Sequence, residues 1–306
     1  MVRRSWVNTR VMLKGLRGCR WYILGVVILR LLYISRPVLW INTLGPATIG
    51  MWLAGNLFAW GALPIVLWLT LPFNLLIYGV NDVFDQETDA KNPRKGTLEG
   101  ARIDRFEVRP LVLGVIFTNA PFLIYSLLFV PFPATAWMLL YTLLFLGYSI
   151  PPARFKARPY LDSLSNAAYA FPLVFVPLAL GEGPIWSAAL GLMAWSAAKH
   201  TFDAVQDVDE DRNAGITTTA VRLGPGGVVF WSGALWTLAT VCFALVSVPV
   251  ALLNATIAGT LLYVLGQNPT PETGHLLYKY SIAFPYVAGT LAGVLLVAAL
   301  SLGAYP

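Results

Sequence analysis

Asn81-Asp82-Val83-Phe84-Asp85-Gln86-Glu87-Thr88-Asp89 follows directly on residues 63–80, which carry no charged side chain. An apolar run of that length matches the roughly 20 helical residues that cross a bilayer core of about 30 Å. It ends abruptly in carboxylates. At about 100° per residue, positions 81, 85 and 89 advance about 40° per step and share one helical face, with Asp82 one turn back from Asp85. The pattern returns as Asp203-Ala204-Val205-Gln206-Asp207-Val208-Asp209-Glu210-Asp211, again after an apolar run. Here Asp203, Asp207 and Asp211 follow i, i+4, i+8, and Asp209 and Glu210 point elsewhere.

The rest of the chain fits these two boundaries. Of its 306 residues 57% are hydrophobic and 12% charged, against roughly 45–50% and about 25% in a soluble domain. The sequence predicts an all-α membrane protein with nine transmembrane helices, at 37–58, 63–81, 109–130, 134–150, 162–180, 185–203, 227–246, 248–266 and 281–302. Several contain proline, among them Pro46, Pro72, Pro121, Pro172 and Pro285, which neighbouring helices in a bundle can accommodate. Residues 1–35, with Arg3, Arg4, Arg10, Lys14, Arg17 and Arg20, read as a basic amphipathic segment on an anionic bilayer surface. Residues 36–306 read as one transmembrane domain.

With that count and a cytoplasmic N-terminus, all 21 Lys and Arg lie in or beside cytoplasmic segments, as does every acid but Glu182. The positive-inside tendency favours this arrangement, and it gives the net charge of +6 a topological cause instead of a nucleic-acid partner. A multi-pass protein of the plasma membrane is expected, with its polar chemistry on the cytoplasmic face. No cleavable signal peptide is evident. Cys19 and Cys242 follow no ligand spacing and read as small apolar fillers.

Carboxylates and an amide oxygen at helical spacing are hard donors that suit Mg²⁺, which keeps waters and bridges to substrate phosphate. Acids crowded this closely repel one another, and a divalent ion gives a reason for their proximity. Bases complement them: Lys91, Arg94, Lys95, Arg102 and Arg105 after the first motif, Arg154, Lys156 and Arg158 after the fourth span, and Arg212 and Arg222 after the second motif. Such cations can neutralise a diphosphate leaving group. Each also satisfies positive-inside topology without touching a substrate. Loss of diphosphate from an allylic carbon leaves a cation that aromatic faces stabilise, with Tyr148, Tyr160, Tyr169 and Phe202 as candidates.

The paired motifs resemble those of the UbiA superfamily of intramembrane prenyltransferases. Arg36-Pro37 resembles the dipeptide opening that family's first span, and Tyr148-Ser149-Ile150-Pro151-Pro152-Ala153-Arg154-Phe155-Lys156 resembles its cytoplasmic loop. Gly215-Ile216-Thr217-Thr218 and Val221-Arg222-Leu223-Gly224 resemble the run after its second motif. The resemblance implies nine helices around a central cavity, a cap of cytoplasmic loops, two Mg²⁺ ions and an allylic prenyl diphosphate as donor. It assigns Asn81, Asp85 and Asp89 to one metal site and Asp203, Asp207 and Asp211 to the other, with Asp82 also in the first motif. Arg36, Tyr148, Arg154 and Lys156 match positions associated with diphosphate or prenyl binding.

Lys91-Asn92-Pro93-Arg94-Lys95-Gly96 and Tyr160-Leu161-Asp162-Ser163-Leu164-Ser165-Asn166 look like the carotenoid-modifying members, the lycopene elongases. Those imply dimethylallyl diphosphate as donor, lycopene as the hydrophobic acceptor and a C50 product. Asp162 and Asn166, one turn apart, are candidates for the acceptor step, Asp162 alternatively pairing with Arg154 or Lys156. His200 reads as an interfacial residue behind the second motif, less readily as a base, and His275 as structural. The competing acceptor class is an aromatic quinone precursor or other polar lipid. A transporter would carry its acids near the bilayer midplane, on broken helices, whereas here they cluster at helix ends.

Overall fold

A computed structural model of the chain describes residues 20–86 and 101–303. Among them every regular element is helical. In chain order they are α1 (Arg20–Ile34), α2 (Ile41–Leu53), α3 (Leu63–Trp68), α4 (Leu71–Asn74), α5 (Val80–Phe84), α6 (Arg105–Phe129) and α7 (Phe132–Ser149). Then come α8 (Leu161–Leu164), α9 (Pro172–Ala179), α10 (Trp186–Asp203), α11 (Val208–Asn213), α12 (Thr219–Ala244), α13 (Val248–Gln267) and α14 (Pro271–Ser301).

Among the described residues six helical stretches are long and apolar enough to cross a membrane: Trp60–Phe84, Arg105–Phe129, Phe132–Ser149, Thr219–Ala244, Val248–Gln267 and Pro271–Ser301. A seventh is counted if Gly25–Ile34 and Pro37–Leu53, bent by 54°, form one span. The nine expected spans are therefore not found as nine. The stretch expected at 162–180 is divided by a 3-10 segment at Ser165–Ala170 and by Pro172. The stretch expected at 185–203 is a single helix, but it ends in Lys199, His200 and Asp203 and packs its small residues, such as Ala189, Gly191 and Ala198, into the protein. Central helices face protein, so they need less apolar surface than helices that face lipid.

The stretch Trp60–Phe84 shows how a membrane helix survives its prolines. The backbone breaks at Thr70, ahead of Pro72, and frees carbonyls that water cannot reach. Leu69 O accepts from Thr43 Oγ1 and Asn74 Nδ2, each at 2.8 Å. Thr70 O also accepts from Asn74 Nδ2 at 2.8 Å, and Pro72 O from Asn119 Nδ2 at 2.7 Å. Leu69 O is thus taken up by side chains, while Thr70 O, which also accepts from Asn74 N at 3.2 Å, and Pro72 O each gain a side-chain donor beside a backbone one. One π-helical turn follows at Leu75–Gly79 and rotates the chain once more before α5 presents the first motif. Behind it lies a core of stacked rings: Phe73 packs on Tyr141 at 4.3 Å between centroids and lies 4.6 Å from Trp68. A second core gathers Phe202, Trp236 and Phe284 from α10, α12 and α14.

Candidate active site

Neither acidic motif continues as one α-helix. α5 ends at Phe84, and Asp85 leaves it with φ −104° and ψ 8°. α10 ends at Asp203, a 3-10 turn runs over Ala204–Asp207, and Asp207 takes φ −101° and ψ 3° before α11 begins. The middle aspartate of each motif thus sits in nearly the same bridge-region conformation, where active-site residues are often found. The single helical face expected for 81, 85 and 89 stops at Asp85. Asp89, Lys91, Arg94 and Lys95 lie outside the described residues, as do the basic residues before Arg20.

Each motif already holds a cation of the chain's own. The Lys156 ammonium donates to Asn81 Oδ1 at 3.1 Å and pairs closely with Asp85 Oδ1. Ser149 Oγ donates to the same Asn81 oxygen at 3.1 Å. In the second motif Lys199 pairs with Asp203 Oδ2, and Ser281 from α14 donates to Asp203 Oδ1. Two ammonium groups on these oxygens show that the sites accept positive charge, and hard oxygens of this kind fit Mg²⁺. Among the described residues no three acids or histidines converge on one point.

Asp82 is spent differently. It is fully buried and accepts from Arg36 Nη2 at 2.6 Å and from Ala101 N at 3.3 Å. The Arg36 guanidinium also lies over the Tyr78 ring at 4.6 Å, and its buried Nε has no hydrogen-bond partner. Arg36 and Arg154 take left-handed backbone conformations, φ 52° and 38°. Such conformations cost energy for residues with a Cβ and concentrate at functional sites. Arg154 is half-buried, whereas Arg212 lies outward, pairs with Asp209 at 3.2 Å and is 59% exposed.

Among the described residues Asp162 forms no ion pair with Arg154 or Lys156. It is fully buried, and its carboxylate accepts from Thr219 N at 2.9 Å and from Thr219 Oγ1. Thr219 Oγ1 in turn accepts from Tyr160 N at 2.7 Å. Asp162 thus clamps the first turn of α12 to the turn that enters α8. The next residue back, Thr218, caps α12 and donates to Asp211 Oδ2 at 3.4 Å. Asn166 Nδ2 donates to Asp162 O at 2.7 Å. Burial and the neighbouring Asp207 push the Asp211 carboxyl up to about 6. Ser149 touches Asn81 of the first motif and its neighbour Tyr148 lies 3.4 Å from His200, one turn before Asp203, so the end of α7 brings the two motifs together at one end of the bundle.

From that end a cavity of about 620 Å³ runs into the bundle, lined by Lys199, His200, Asp203 and Asn166 at the motif end. Further in its wall carries Tyr169, Trp195, Leu192 and Phe243, and it reaches Val246 and Ser247 at the far loop. α10 lines it from Ala188 to Asp203, a rise of roughly 22 Å at about 1.5 Å per residue. Sequence reasoning missed Lys199 and Ser281 as partners of Asp203. Lys199, four residues before Asp203, was visible as a helical pair; Ser281, 78 residues away, left no signal.

Residues 43–268 match the UbiA prenyltransferase family. A lycopene elongase/hydratase from Haloferax volcanii is 34% identical over 280 residues, 89% of each chain. One from Corynebacterium glutamicum is 30% identical over 275 residues, 86% of this chain and 95% of that protein. A UbiA homologue from Archaeoglobus fulgidus, solved bound to GPP and Mg²⁺, superposes with a TM-score of 0.65 at 20% identity, covering 85% of this chain and 99% of that one. The same homologue bound to DMAPP and Mg²⁺ gives 0.63.

Proposed function

The chain belongs to the UbiA prenyltransferase family and is an integral membrane prenyltransferase of the lycopene elongase type, and from that premise we propose that it moves a dimethylallyl group from its diphosphate to an end of lycopene. The observation that carries the acceptor is the cavity wall. Among the described residues it has no charged side chain beyond Lys199, His200 and Asp203, and Lys199 is already paired with Asp203. A carboxylate-bearing aromatic acceptor would need an uncommitted cation there, whereas an apolar polyene needs none. A five-carbon group also fills little of about 620 Å³, leaving room for the end of a second, apolar substrate.

Two Mg²⁺ ions, held by Asn81, Asp85 and Asp89 and by Asp203, Asp207 and Asp211, would draw charge from the departing diphosphate. Lys156 and Arg36, with its unpartnered Nε, bind the same group from the α7–α8 loop and the start of α2. Arg154 adds to the basic surround, and Lys91, Arg94 and Lys95, outside the described residues, keep the diphosphate-binding role expected of them. Asp82 orients Arg36. Tyr148 and Tyr169 face the allylic cation, and the apolar wall excludes water from it. The acceptor's terminal alkene closes the new carbon–carbon bond and becomes the tertiary cation. Asn166 lines the cavity at this point. The motif end and the N-terminus lie on the cytoplasmic side of the plasma membrane, the topology that the charge distribution favours.

Expression in cells that accumulate lycopene tests the reading. Pigments heavier by one or two C5 units are expected, and Asp85→Ala or Asp207→Ala should remove them. Unchanged lycopene, with the protein folded and dimethylallyl diphosphate supplied, would transfer the acceptor assignment to a quinone-type or polar lipid substrate.

A further inference from the structure

The proposed transfer ends on a tertiary carbocation that must lose a proton or take up water, and both exits release one proton inside an apolar cavity. Few groups there can accept it. Asp203 is held by Lys199 and Ser281, and Lys199 is itself a cation. Asp162 is fully buried, with its carboxylate engaged by the amide and hydroxyl of Thr219. Tyr169 and Tyr286, the cavity's tyrosines, are weak bases.

His200 remains. It lines the cavity one turn before Asp203 and is half-buried. Among the described residues its one hydrogen-bond contact places Nε2 3.4 Å from Tyr148 Oη, with the two rings edge to face at 6.0 Å between centroids. In the tautomer whose Nε2–H donates to Tyr148, the Nδ1 lone pair has no partner among the described residues. The other histidine, His275, is exposed near the start of α14 and does not line the cavity.

We propose that His200 accepts, at Nδ1, the proton shed when the acceptor cation is quenched, and that Tyr148 positions the ring. In one exit a C–H bond beside the cationic carbon breaks, its electron pair becomes the new alkene, and the proton forms an imidazolium. In the other a water lone pair forms the C–O bond and one of that water's protons goes to the same nitrogen. No oxidant or further reactant is required. This inference rests on the acceptor reading above, since a transfer that leaves no such cation gives His200 nothing to accept.

The test compares purified wild-type protein with His200→Gln and His200→Ala in lipid nanodiscs with lycopene, dimethylallyl diphosphate and Mg²⁺. A positioned base contributes about 100-fold or more. Both variants should therefore lose at least that much kcat while the KM for the diphosphate stays within about twofold. Donor-dependent protection against thermal unfolding should persist, showing that the variants fold and bind. Wild-type kcat in His200→Gln would overturn the proposal and hand the proton to another acceptor, such as the released diphosphate. A parallel loss of donor protection would also overturn it, by placing His200 in the donor site. Wild-type protein that binds the donor but leaves lycopene unchanged would sink the acceptor reading first, and the proposal with it.

Discussion

Replacing Thr219 by Val removes a hydroxyl that does two jobs in the structure. It donates to the fully buried Asp162 carboxylate and accepts from Tyr160 N at 2.7 Å. Valine has nearly the same shape, so little cavity forms. Losing a hydrogen bond to a charged group costs roughly 1.5–3 kcal/mol, and leaving the part-buried Tyr160 N–H without its acceptor about 1 kcal/mol. The two share one atom and do not add fully, so a combined loss of about 2–4 kcal/mol is expected. At roughly 2 °C per kcal/mol for a chain this long, the unfolding midpoint should fall by about 4–8 °C. Thermal unfolding of the detergent-solubilised protein, followed by far-ultraviolet circular dichroism, measures it. Thr219→Ser should restore most of the loss. Asp162→Asn supplies the contrast. If Asp162 is a clamp, the variant loses stability, and its turnover at low temperature falls modestly. A Thr219→Val midpoint equal to wild type would refute the clamp. An Asp162→Asn protein of wild-type stability and no turnover would move that carboxylate back into the chemistry.

Other outcomes follow from the two acidic motifs. Lys156→Met removes the ammonium that occupies Asn81 and Asp85; donor-free protein should bind Mg²⁺ more tightly by calorimetry, while the KM for the diphosphate rises at least about tenfold. Asp211, raised to about 6 by burial and Asp207, carries a proton below that value that a metal ion must displace. Mg²⁺ affinity should therefore rise with pH through about 6, by up to about tenfold per pH unit on the acid side, and Asp211→Asn should flatten the curve. Gly274 at the start of α14 packs where a Cβ would meet Val205 Cγ1 at 2.7 Å and Gln206 N at 3.0 Å. Gly274→Ala should push on the 3-10 turn between Asp203 and Asp207, costing about 1–3 kcal/mol by overpacking and raising the Mg²⁺ needed for half-maximal turnover.

The membrane class and the two acidic motifs were legible because composition and short spacing carry them. What was not legible depends on the backbone between. An α-helical wheel puts 81, 85 and 89 on one face, but α5 ends at Phe84 and breaks that phase, and the π turn at Leu75–Gly79 rotates the motif relative to the span before it. No residue in that stretch announces a π turn. The count of nine spans was not confirmed for a related reason: 162–180 and 185–203 are apolar enough to suggest spans, yet one is broken and the other packs its small residues inward. Asp162 read as a candidate for the chemistry because an acid in a span is costly. The partner that lowers its cost, Thr219, lies 57 residues away, beyond any local pattern.

The two breaks explain why the motifs act as a pair. A straight helix carrying Asp203, Asp207 and Asp211 spreads them over about 12 Å, at about 1.5 Å per residue, farther than one metal shell can reach. Ending the helix at Asp203, tightening the next turn and restarting at Val208 lets Asp207 and Asp211 turn independently of Asp203. Asp85 leaves α5 in nearly the same conformation as Asp207. Lysines neutralise one acid in each motif: Lys156 reaches Asp85 from another segment, and Lys199 reaches Asp203 from one turn up its own helix. Asp203 lines the cavity at its motif end. A diphosphate carrying its metal would compete for these oxygens, and the two ammonium groups would then turn to phosphate oxygens. If that exchange operates, Mg²⁺ and the diphosphate bind each more tightly in the presence of the other, and the Lys156→Met, Lys199→Met double variant loses most of that coupling in titration calorimetry. Equal coupling in the double variant and the wild type would show that the lysines only balance charge.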